Sequence, residues 1–463
     1  MLEWITQINN AVNGVVWGPA GLALLFGTGL IMSVRTGFFQ FRKMGYWLRH
    51  TIGAIFTNKD VTAHTSKEDM AISQFQSMCT ALAGTIGTGN IVGVATAIVS
   101  GGPGAIFWMW VMALLGMMTS FSENVLGVYY RRKNPAGEWS GGAMYYLTDG
   151  LGAKKGCKTL GKVLAVLFAC FCILASFGIG NMSQLNSIAG NMNAAFGVPT
   201  IVTGLALMVV TALIVIGGLK RVAAVTEKLV PVMAVLYFVI TLFIIFTNLG
   251  SMPGVFKRIF EEAFGFRQAV AGGFGVVLMN GVKRGLFSNE AGSGSAPCAA
   301  AAAESDQPVK LGLTQALGVF IDTIVICSCT AMIMLLVPEK MIAGLEGMEL
   351  LQTAMNYHLG KFGVIFIAVT LFLFSFSTFL GILFYARGNV AYLFGDNWGS
   401  QTGYKVLALV MLFIGGIAAY TFVWDLGDVG IGLMTIFNIF MLYPLGEKAL
   451  KELKIYEAEK KKK

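Results

Sequence analysis

The sequence predicts an all-α integral membrane protein with about eleven transmembrane helices. Hydrophobic residues make up 56% of the 463 residues and charged residues only 12%, which lies outside the usual composition of a soluble domain. Apolar runs of about 20 residues, the length that crosses the hydrocarbon core as a helix, recur along the chain. Two of these runs are interrupted by glycine and polar residues. Together these observations predict a helical bundle whose solvent is the lipid bilayer.

The apolar runs account for nearly the whole chain, which predicts a single membrane domain. The first thirty-four residues contain no Lys or Arg, so the basic region that a signal peptide requires is missing and we expect the first helix to be retained. The predicted spans lie at 17–34, 72–99, 104–130, 160–190, 199–217, 228–247, 267–302, 311–337, 362–394, 404–422 and 427–446.

The basic residues predict the orientation of these spans. An odd number of spans puts the termini on opposite sides, and Lys and Arg should then concentrate in alternate loops. With the N-terminus outside, the inside loops and the tail at 447–463 hold most of the 33 basic residues. The outside loops hold only Lys257, Arg258, Arg267, Lys340 and Lys361. We therefore predict an outside N-terminus and a basic cytoplasmic C-terminal tail.

The two interrupted segments occupy corresponding positions. The second reads Ala-Leu-Ala-Gly-Thr-Ile-Gly-Thr-Gly-Asn-Ile-Val-Gly over 81–93, and the seventh reads Gly-Leu-Phe-Ser-Asn-Glu-Ala-Gly-Ser-Gly-Ser-Ala-Pro over 285–297. Each opens a set of five spans, 72–247 and 267–446, after one extra helix at 17–34. Because five is odd, the second set enters the membrane from the opposite side. Interrupted helices at matching places in inverted repeats are typical of secondary transporters, where they mark the binding site.

Glycine makes the second segment easy to unwind, because each glycine weakens a helix by about 1 kcal/mol relative to alanine. Free N–H groups at such a break can bind a carboxylate, and free carbonyls can bind a hard cation such as sodium. The alternative for Gly87-Thr-Gly-Asn90 is close helix packing through small residues. In the seventh segment the polar residues are too dense for packing alone: Ser288, Asn289, Glu290, Ser293 and Ser295.

A longer motif resembles a known family. The stretch Gly-Gly-Pro-Gly-Ala-Ile-Phe-Trp-Met-Trp-Val-Met-Ala-Leu-Leu-Gly at 101–116 resembles the signature of the alanine or glycine:cation symporter family. The motifs at 87–90 and 283–292 are similar to that family's. The resemblance implies a leucine-transporter-like fold, with two inverted five-helix repeats and one additional N-terminal helix. It also implies sodium-coupled uptake of alanine, glycine or a close relative by alternating access, in the plasma membrane of a bacterium or archaeon.

The resemblance further implies which residues form the site. The backbone amides of Thr88 and Gly89 are expected to bind the substrate carboxylate. The other expected substrate contacts are Gln184, Phe287, Ser288, Asn289, Thr378 and Ile382. Sodium is expected to bind the carbonyls of Ala83 and Ile86 and the hydroxyls of Ser377 and Thr378, with Thr85, Asn90 and Glu290 as secondary candidates. The alternative for the paired hydroxyls is a bond back to their own helix.

One position departs from the family pattern. Relatives often carry a Trp one turn beyond Thr378, and this chain has Ile382. A smaller side chain should enlarge the pocket, and a methylene or two changes selectivity by only about 1–3 kcal/mol. The preference for alanine over slightly larger residues is therefore open.

Several ionisable residues fall within the predicted spans, where an unpaired charge is costly, among them Glu123, Glu290, Asp322, Lys283 and Arg284. We expect Lys283 or Arg284 to pair with one of the three carboxylates and to move with the seventh segment, the alternative being a fixed structural pair. Glu123 or Asp322 could instead relay protons, which would make the chain a proton symporter. Hydroxyls and free carbonyls favour sodium as the coupling ion.

Other functional classes fit the sequence less well. Channels usually repeat a pore-lining element in several subunits, whereas two unlike broken helices occur here in one chain. A membrane enzyme is not expected, because no nucleophile-base or metal-ligand spacing is found. No organic cofactor, nucleic acid or obligate protein partner is predicted, since the basic residues lie at segment ends without an aromatic platform. The predicted partners are the amino-acid substrate and the bilayer.

Overall fold

The computed structural model describes residues 2–63, 71–134, 137–265, 273–305, 307–417 and 420–461. Parts of the sequence analysis fall outside the described residues: Arg267, the first residues of the predicted span 267–302 and the last two lysines. The α-helices are α1 (Leu2–Val16), α2 (Pro19–Arg35), α3 (Phe39–Arg42), α4 (Met44–His50), α5 (Ile52–Thr57), α6 (Lys59–Thr62), α7 (Gln74–Thr85), α8 (Val94–Gly101), α9 (Gly104–Tyr129), α10 (Ala143–Tyr145), α11 (Lys158–Ala175), α12 (Ser183–Phe196), α13 (Thr200–Ile216), α14 (Gly218–Thr247), α15 (Met252–Ala263), α16 (Gly273–Asn289), α17 (Pro297–Ala302), α18 (Pro308–Val319), α19 (Ser328–Leu335), α20 (Glu339–Ile342), α21 (Gly347–Phe394), α22 (Trp398–Ile417) and α23 (Tyr420–Lys461).

Short irregular elements join several of these helices. π-Helical turns occur at Gly89–Gly93, Tyr146–Leu151, Ser176–Met182 and Phe320–Cys327, and a 3₁₀ turn at Leu249–Ser251. Strands β1 (Arg132–Lys133) and β2 (Trp139–Ser140) form a small antiparallel hairpin. Because π-helical turns are rare and often lie at functional sites, their position is informative. Three of them, at Gly89–Gly93, Ser176–Met182 and Phe320–Cys327, lie within predicted spans.

The helices that could cross a membrane agree with most of the predicted spans. Six stretches in the described part of the chain are long and apolar enough: Gly104–Tyr129, Lys158–Phe196, Lys220–Thr247, Pro308–Leu335, Gly347–Phe394 and Gly427–Glu459. Two bent pairs, Gln7–Val16 with Pro19–Arg35 and Gln74–Thr85 with Gly89–Gly101, raise the number to eight if each is one span. Helix α13 is apolar but shorter. The membrane character of the chain is therefore confirmed, while the number eleven stays a prediction.

Apolar side chains cover the outer helices. Leu213 and Ile216 on α13 and Phe243 and Phe246 on α14 are each more than half exposed. Soluble proteins rarely expose apolar patches of this extent. These faces are therefore suited to contact lipid, and the polar residues are left to the interior.

The two interrupted spans lie side by side in the interior and run antiparallel. Near one end, Ser77 Oγ on α7 donates to the Ala299 carbonyl on α17 at 2.9 Å. Near the other end, Asn280 Nδ2 on α16 donates to the Ser100 carbonyl on α8 at 3.3 Å. In the middle, Gly89 packs against α16. The start of one span thus meets the end of the other, as expected if the two halves enter the membrane from opposite sides.

A short backbone bridge fixes the end where α7 begins and α17 stops. The Ile72 N–H donates to the Ala302 carbonyl at 3.1 Å, and the Glu304 N–H donates to the Ile72 carbonyl at 2.9 Å. The Arg131 guanidinium, just beyond α9, donates to the Ala303 carbonyl at 2.5 Å. The bonds to Ala302 and Ala303 satisfy carbonyls that the end of α17 leaves free, and the three bonds together tie the end of α17 to the start of α7 and the end of α9.

Helices α14 and α21 enclose α7 from the other side. The contact with α21 is close because glycines face each other: a β-carbon on Gly381 would lie 2.4 Å from the Gly84 nitrogen. A β-carbon on Gly84 would lie 2.7 Å from the Tyr385 hydroxyl. Helix α21 bends at Gly360, where φ is 59°, and the predicted span 362–394 is the part after this bend.

We predict that Gly381→Ala lowers the thermal unfolding midpoint of the purified protein in detergent. The added methyl group would overlap the α7 backbone, and overpacking of this kind costs about 1–3 kcal/mol. Gly403→Ala on α22 is the matched control, because no atom lies within 4 Å of a β-carbon there. An unchanged midpoint for Gly381→Ala would contradict the close contact.

Candidate functional site

The second span unwinds at Ile86 and Gly87. In an unbroken helix the Gly87 N–H would bond to the Ala83 carbonyl, but it donates instead to Asn90 Oδ1 at 2.9 Å. The chain resumes as a π-helical turn at Gly89–Gly93, and the two half-helices meet at 54°. Asn90 is fully buried. The unwinding predicted from the glycines is therefore present, and the free polar groups that it creates face protein.

Gln184 packs directly against this break. It lies just after the π-helical turn Ser176–Met182, and its Nε2 donates to the Ile179 carbonyl at 2.9 Å and to Thr88 Oγ1 at 3.1 Å. Its Oε1 accepts from the Thr88 N–H at 3.4 Å, the longest of the three bonds. Because a long bond is weak, the Thr88 N–H is the group at this break that a stronger acceptor could most readily take.

The seventh span is also broken, between α16 and α17. Glu290 has a φ of 52°, Gly292 of 91° and Gly294 of 78°, so the chain turns through left-handed conformations that glycine adopts at little cost. Glu290 is one of two non-glycine residues with positive φ in the described chain. Its Oε2 accepts a hydrogen bond from Ser295 Oγ at 2.6 Å. The Glu290 carboxylate therefore bonds to the loop of which Glu290 is the first residue.

Glu123 of α9 holds this second break in place. Its Oε1 accepts from the Gly292 N–H at 3.1 Å, and its Oε2 accepts from the Gly294 N–H at 3.0 Å and from Asn438 Nδ2 at 2.7 Å. Asn438 Nδ2 also donates to the Gly292 carbonyl at 2.8 Å. All of these groups are buried. Glu123 thus satisfies backbone donors and is a structural anchor of the loop.

The two breaks meet where Gly89 faces Phe287 and Ser288. A β-carbon on Gly89 would lie 3.5 Å from Phe287 Cδ1 and 3.6 Å from Ser288 Cα. On the α21 side, a β-carbon on Gly87 would lie 2.2 Å from Thr378 Oγ1. The structure therefore brings together six of the eight predicted substrate residues: Thr88, Gly89, Gln184, Phe287, Ser288 and Thr378.

The remaining two predicted substrate residues are Asn289 and Ile382. Asn289 Nδ2 donates to Thr323 Oγ1 at 3.0 Å and its Oδ1 accepts from the Ala291 N–H at 3.0 Å, so its side chain is engaged by Thr323 and by the second break. Ile382 lies against the fourth span, where a β-carbon on Gly180 would lie 2.2 Å from Ile382 Cγ2. Ile382 and Glu290 line a narrow cavity on that side.

Of the four residues expected to bind sodium, the structure shows a direct contact between Thr378 and Ile86. Thr378 Oγ1 donates to the Ile86 carbonyl at 3.1 Å and to the Phe374 carbonyl at 3.0 Å. Ser377 Oγ donates to the Phe374 carbonyl at 2.8 Å. Both hydroxyls thus bond back to their own helix, which is the alternative to sodium binding given above. Thr378 also contacts the broken helix. Their lone pairs remain available to a cation.

Asp322 and Thr323 belong to the site but were not among the predicted site residues. Asn90 Nδ2 donates to Asp322 Oδ1 at 2.7 Å and to Ser288 Oγ at 2.9 Å, and Ser288 Oγ donates to Asp322 Oδ2 at 2.8 Å. Asp322 lies in the π-helical turn Phe320–Cys327. Its burial within a predicted span was the only signal in the sequence, and no local motif links it to Asn90.

The expected pairing of Lys283 or Arg284 with Glu123, Glu290 or Asp322 is wrong. Lys283 Nζ lies 3.2 Å from Asp428 Oδ2 on α23. The three carboxylates instead accept hydrogen bonds from backbone N–H groups and from neutral side chains. Asp428 lies more than a hundred residues away in sequence, and only the packing of α23 beside α16 brings it to Lys283.

A large cavity lies between the ends of α8, α12 and α16 and the start of α21. Its volume is about 920 Å³, within the range of ligand-binding cavities. Polar and charged side chains line much of it: Thr96, Asn186, Asn191, Lys283, Arg284, Glu346, Glu349, Gln352 and Asp428. The buried Arg284 Nε has no hydrogen-bond partner among the described residues. The cavity approaches the crossing of the two breaks along α16.

Comparison with known proteins decides the family. Residues 2–463 match the model of the sodium:alanine symporter family. The chain belongs to the sodium:alanine symporter family. The sodium/alanine symporter AgcS of Methanococcus maripaludis is 41% identical over 99% of both chains. The amino-acid carrier protein AlsT of Bacillus subtilis is 40% identical over 100% of this chain and 94% of that protein. The probable sodium/glutamine symporter GlnT of the same species is 39% identical, over 100% and 92%.

Solved structures show the fold of this sodium:alanine symporter family member more distantly. A manganese transporter of Eremococcus coleocola superposes with a TM-score of 0.54 at 11% identity, covering 85% of this chain and 82% of that one. A Na⁺-coupled sialic acid symporter superposes with a TM-score of 0.50 at 15% identity, covering 93% and 87%. At these identities the likeness concerns the fold alone. Family membership makes the chain a sodium-coupled amino-acid transporter and not an enzyme.

We predict that Glu123→Gln destabilises the protein. Glutamine has one acceptor oxygen where the loop presents several donors, and its NH₂ group would face a backbone N–H. A buried donor left without a partner costs about 1–3 kcal/mol, so the thermal midpoint in detergent should fall. Glu261→Gln on α15 is the control, because Glu261 pairs with Lys257 at the surface. A Glu123→Gln midpoint equal to that of Glu261→Gln would show that Glu123 is not an anchor.

Proposed function

We propose that this transporter takes up a small neutral amino acid, alanine, glycine or a close relative, together with sodium by alternating access. The observation that carries the proposal is the meeting of two antiparallel broken helices at Gly89 and Ser288, inside a chain of this family. Paired broken helices of this kind hold substrate and coupling ions in secondary transporters. The proposed architecture is one additional helix followed by two inverted sets of five spans, eleven in all.

The substrate carboxylate would bind at the first break. The carboxylate oxygens would accept hydrogen bonds from the N–H groups of Thr88 and Gly89. The long bond from the Thr88 N–H to Gln184 Oε1 would then be broken. The positive end of the half-helix that begins here favours an anion. Phe287 and Ser288 would contact the rest of the substrate from the other broken helix, and the close approach of these groups is suited to a small side chain.

Sodium would bind between α7 and α21. The carbonyls of Ala83 and Ile86 lie where the helix ends, and Thr378 Oγ1 contacts the Ile86 carbonyl. Ser377 would supply a second hydroxyl oxygen. Oxygen ligands of this kind suit a hard cation. Because the site spans two helices, bound sodium would favour the arrangement in which they touch, which is the differential affinity that coupling requires.

The cavity and the closed end suggest which state the structure represents. With an outside N-terminus, the ends of α8 and α12 and the start of α21 lie outside, so the 920 Å³ cavity would open outward. The end fixed by Ile72, Ala302 and Arg131 would then be the cytoplasmic one. The proposed state is therefore outward-facing, and release inside would require opening of the Ile72 bridge.

The direct test is uptake into liposomes. Labelled alanine should accumulate with an inward sodium gradient, should not accumulate with potassium in place of sodium, and should saturate. Unlabelled alanine, glycine and glutamine as competitors would rank the substrates. Uptake that follows a proton gradient and ignores sodium would contradict the proposal and favour a proton symporter.

We predict that Thr378→Val raises the sodium concentration for half-maximal uptake roughly tenfold or more, the effect of losing about 1.4 kcal/mol of binding free energy. Valine keeps the shape of the side chain and removes the oxygen ligand. Thr370→Val, about two turns earlier on α21, is the matched control and should leave sodium dependence unchanged. Equal sodium dependence of the two variants would remove Thr378 from the site.

We predict that Ile382→Ala improves competition by larger neutral amino acids relative to alanine. The substitution would open space against Gly180, and a change of this size shifts selectivity by about 1–3 kcal/mol. Ile365→Ala on the exposed side of α21 is the control. Measured competitor rankings that are the same for both variants would show that Ile382 does not shape the pocket.

A further inference from the structure

The chain between α2 and α7 begins with an exposed phenylalanine in a strained conformation. Phe38 has a φ of 51°, in the left-handed region that a bulky side chain rarely adopts because its β-carbon crowds the backbone. Phe38 is also 40% exposed. A strained conformation persists only where its surroundings require it. The exposed ring is therefore expected to have a partner outside the protein.

Hydrogen bonds from buried groups hold this turn in place. The Phe38 N–H donates to the Ser33 carbonyl of α2 at 2.7 Å. The buried Gln40 Nε2 donates to Ser33 Oγ at 2.9 Å and to the Leu114 carbonyl of α9 at 3.2 Å. The turn is therefore tied to the bundle by polar groups, and the Phe38 ring takes no part in these bonds.

Exposed apolar side chains continue from α2 onto the segment that follows it. Val34 near the end of α2 is 55% exposed, and Phe56 on α5 is 83% exposed. The ring centroids of Phe38 and Phe41 lie 6.4 Å apart. Large exposed apolar surface of this kind marks a site of membrane or protein contact. The exposed large apolar residues after the turn are Phe38, Phe41, Met44, Ile52 and Phe56.

The same segment is basic, and three of its cations have no partner in the described part of the chain. The Lys and Arg residues at 36–63 are Arg42, Lys43, Arg49 and Lys59, against one acidic residue, Asp60. Arg42 Nη2 lies 3.9 Å from Glu457 Oε1. The other three basic side chains are exposed and form no ion pair with the residues that the structure describes. An anionic partner would therefore meet free cations beside apolar side chains.

We propose that residues 38–59 form a binding surface for anionic phospholipids. The exposed apolar side chains would enter the acyl region of the bilayer, and Lys43, Arg49 and Lys59 would contact phosphate groups. Segments that combine exposed aromatic residues with Lys and Arg lie in the bilayer interface, and anionic headgroups attract such cations. Lys and Arg can place their stems along apolar surface while the charge stays at the headgroups. The proposal depends on neither the substrate nor the coupling ion.

The segment also packs against helices of the bundle, so bound lipid would act on the whole structure. The buried Trp47 ring lies 6.2 Å, between centroids, from the ring of Phe320, the first residue of a π-helical turn. The Tyr46 ring lies 6.4 Å from that of Tyr456 near the end of α23. A ligand that binds only the folded state stabilises it. Anionic lipid is therefore expected to raise the stability of the protein.

Thermal unfolding in detergent tests the proposal without any transport measurement. The purified protein is titrated with phosphatidylglycerol and, in parallel, with phosphatidylcholine of the same acyl chains. Phosphatidylglycerol should raise the midpoint and reach half its effect at a several-fold lower concentration. Glycerol phosphate, the headgroup alone, should have no effect, because it lacks the acyl chains that meet the apolar side chains. Equal titrations with the two lipids, or a full effect of glycerol phosphate, overturn the proposal and leave this surface to an acidic protein or a free anion.

Charge variants locate the surface. Lys43→Gln combined with Arg49→Gln should raise the phosphatidylglycerol concentration for half-maximal effect about tenfold or more, since each basic residue near an anionic surface contributes a factor of about five. Lys451→Gln combined with Lys454→Gln is the matched control, because it removes the same charge from the tail, where Lys451 pairs with Glu447. This control should titrate like the wild type. Equal shifts in both double variants would show a general effect of charge and overturn the assignment to residues 38–59.

Phe38→Asn separates lipid contact from a structural role of the ring. Asparagine tolerates the left-handed conformation, so the turn is kept while the ring is lost. The midpoint without lipid should stay the same or rise, and the further rise with phosphatidylglycerol should be smaller than in the wild type. A lower midpoint without lipid, together with an unchanged rise, would show that the ring serves the protein interior and would overturn its place in the lipid surface.

Discussion

The architecture depends on one constraint: backbone N–H and carbonyl groups that are unwound at membrane depth must find partners within the protein. Two spans break, and each break is satisfied by side chains, most of which come from elsewhere in the chain. Asn90 and Gln184 serve the first break with neutral amides. Glu123 and Asn438 serve the second. The close packing of α7, α9, α16 and α21 follows from the need to keep these partners in place.

The two breaks are satisfied in different ways, and the difference has a functional consequence. At the second break a carboxylate accepts two backbone N–H bonds of about normal length, and charge-assisted bonds of this kind are strong. At the first break the Thr88 N–H is held only by a neutral amide oxygen at 3.4 Å. A substrate carboxylate can therefore compete at the first break, whereas the second is occupied by the protein's own carboxylate. The two broken helices are thus alike in course and unlike in chemistry.

The charged side chains in the interior also differ in the groups that compensate their charge. Lys283 pairs with Asp428 at the edge of the cavity, where water can reach both. Glu123 is surrounded by donors of a loop, and Asp322 by donors of three side chains. The carboxylate at the crossing of the breaks is the one whose environment connects both broken helices. Polar groups buried this deep strengthen one another in a low dielectric, so the network stabilises the arrangement of the two broken helices.

The sequence by itself determined the membrane class, the positions of most spans, the two breaks and the family, because these depend on local composition, on glycine and on contiguous motifs. It also indicated Gly89, Gln184, Ser288 and Thr378, which the structure brings together. Only the tertiary structure decided which distant side chains meet. The pairs that meet come from helices far apart in sequence: Asp428 and Lys283, Asn438 and Glu123, and Asp322 and Asn90. The spacing of apolar residues predicts which residues are buried. It does not predict which buried polar groups face each other, because that depends on how whole helices pack.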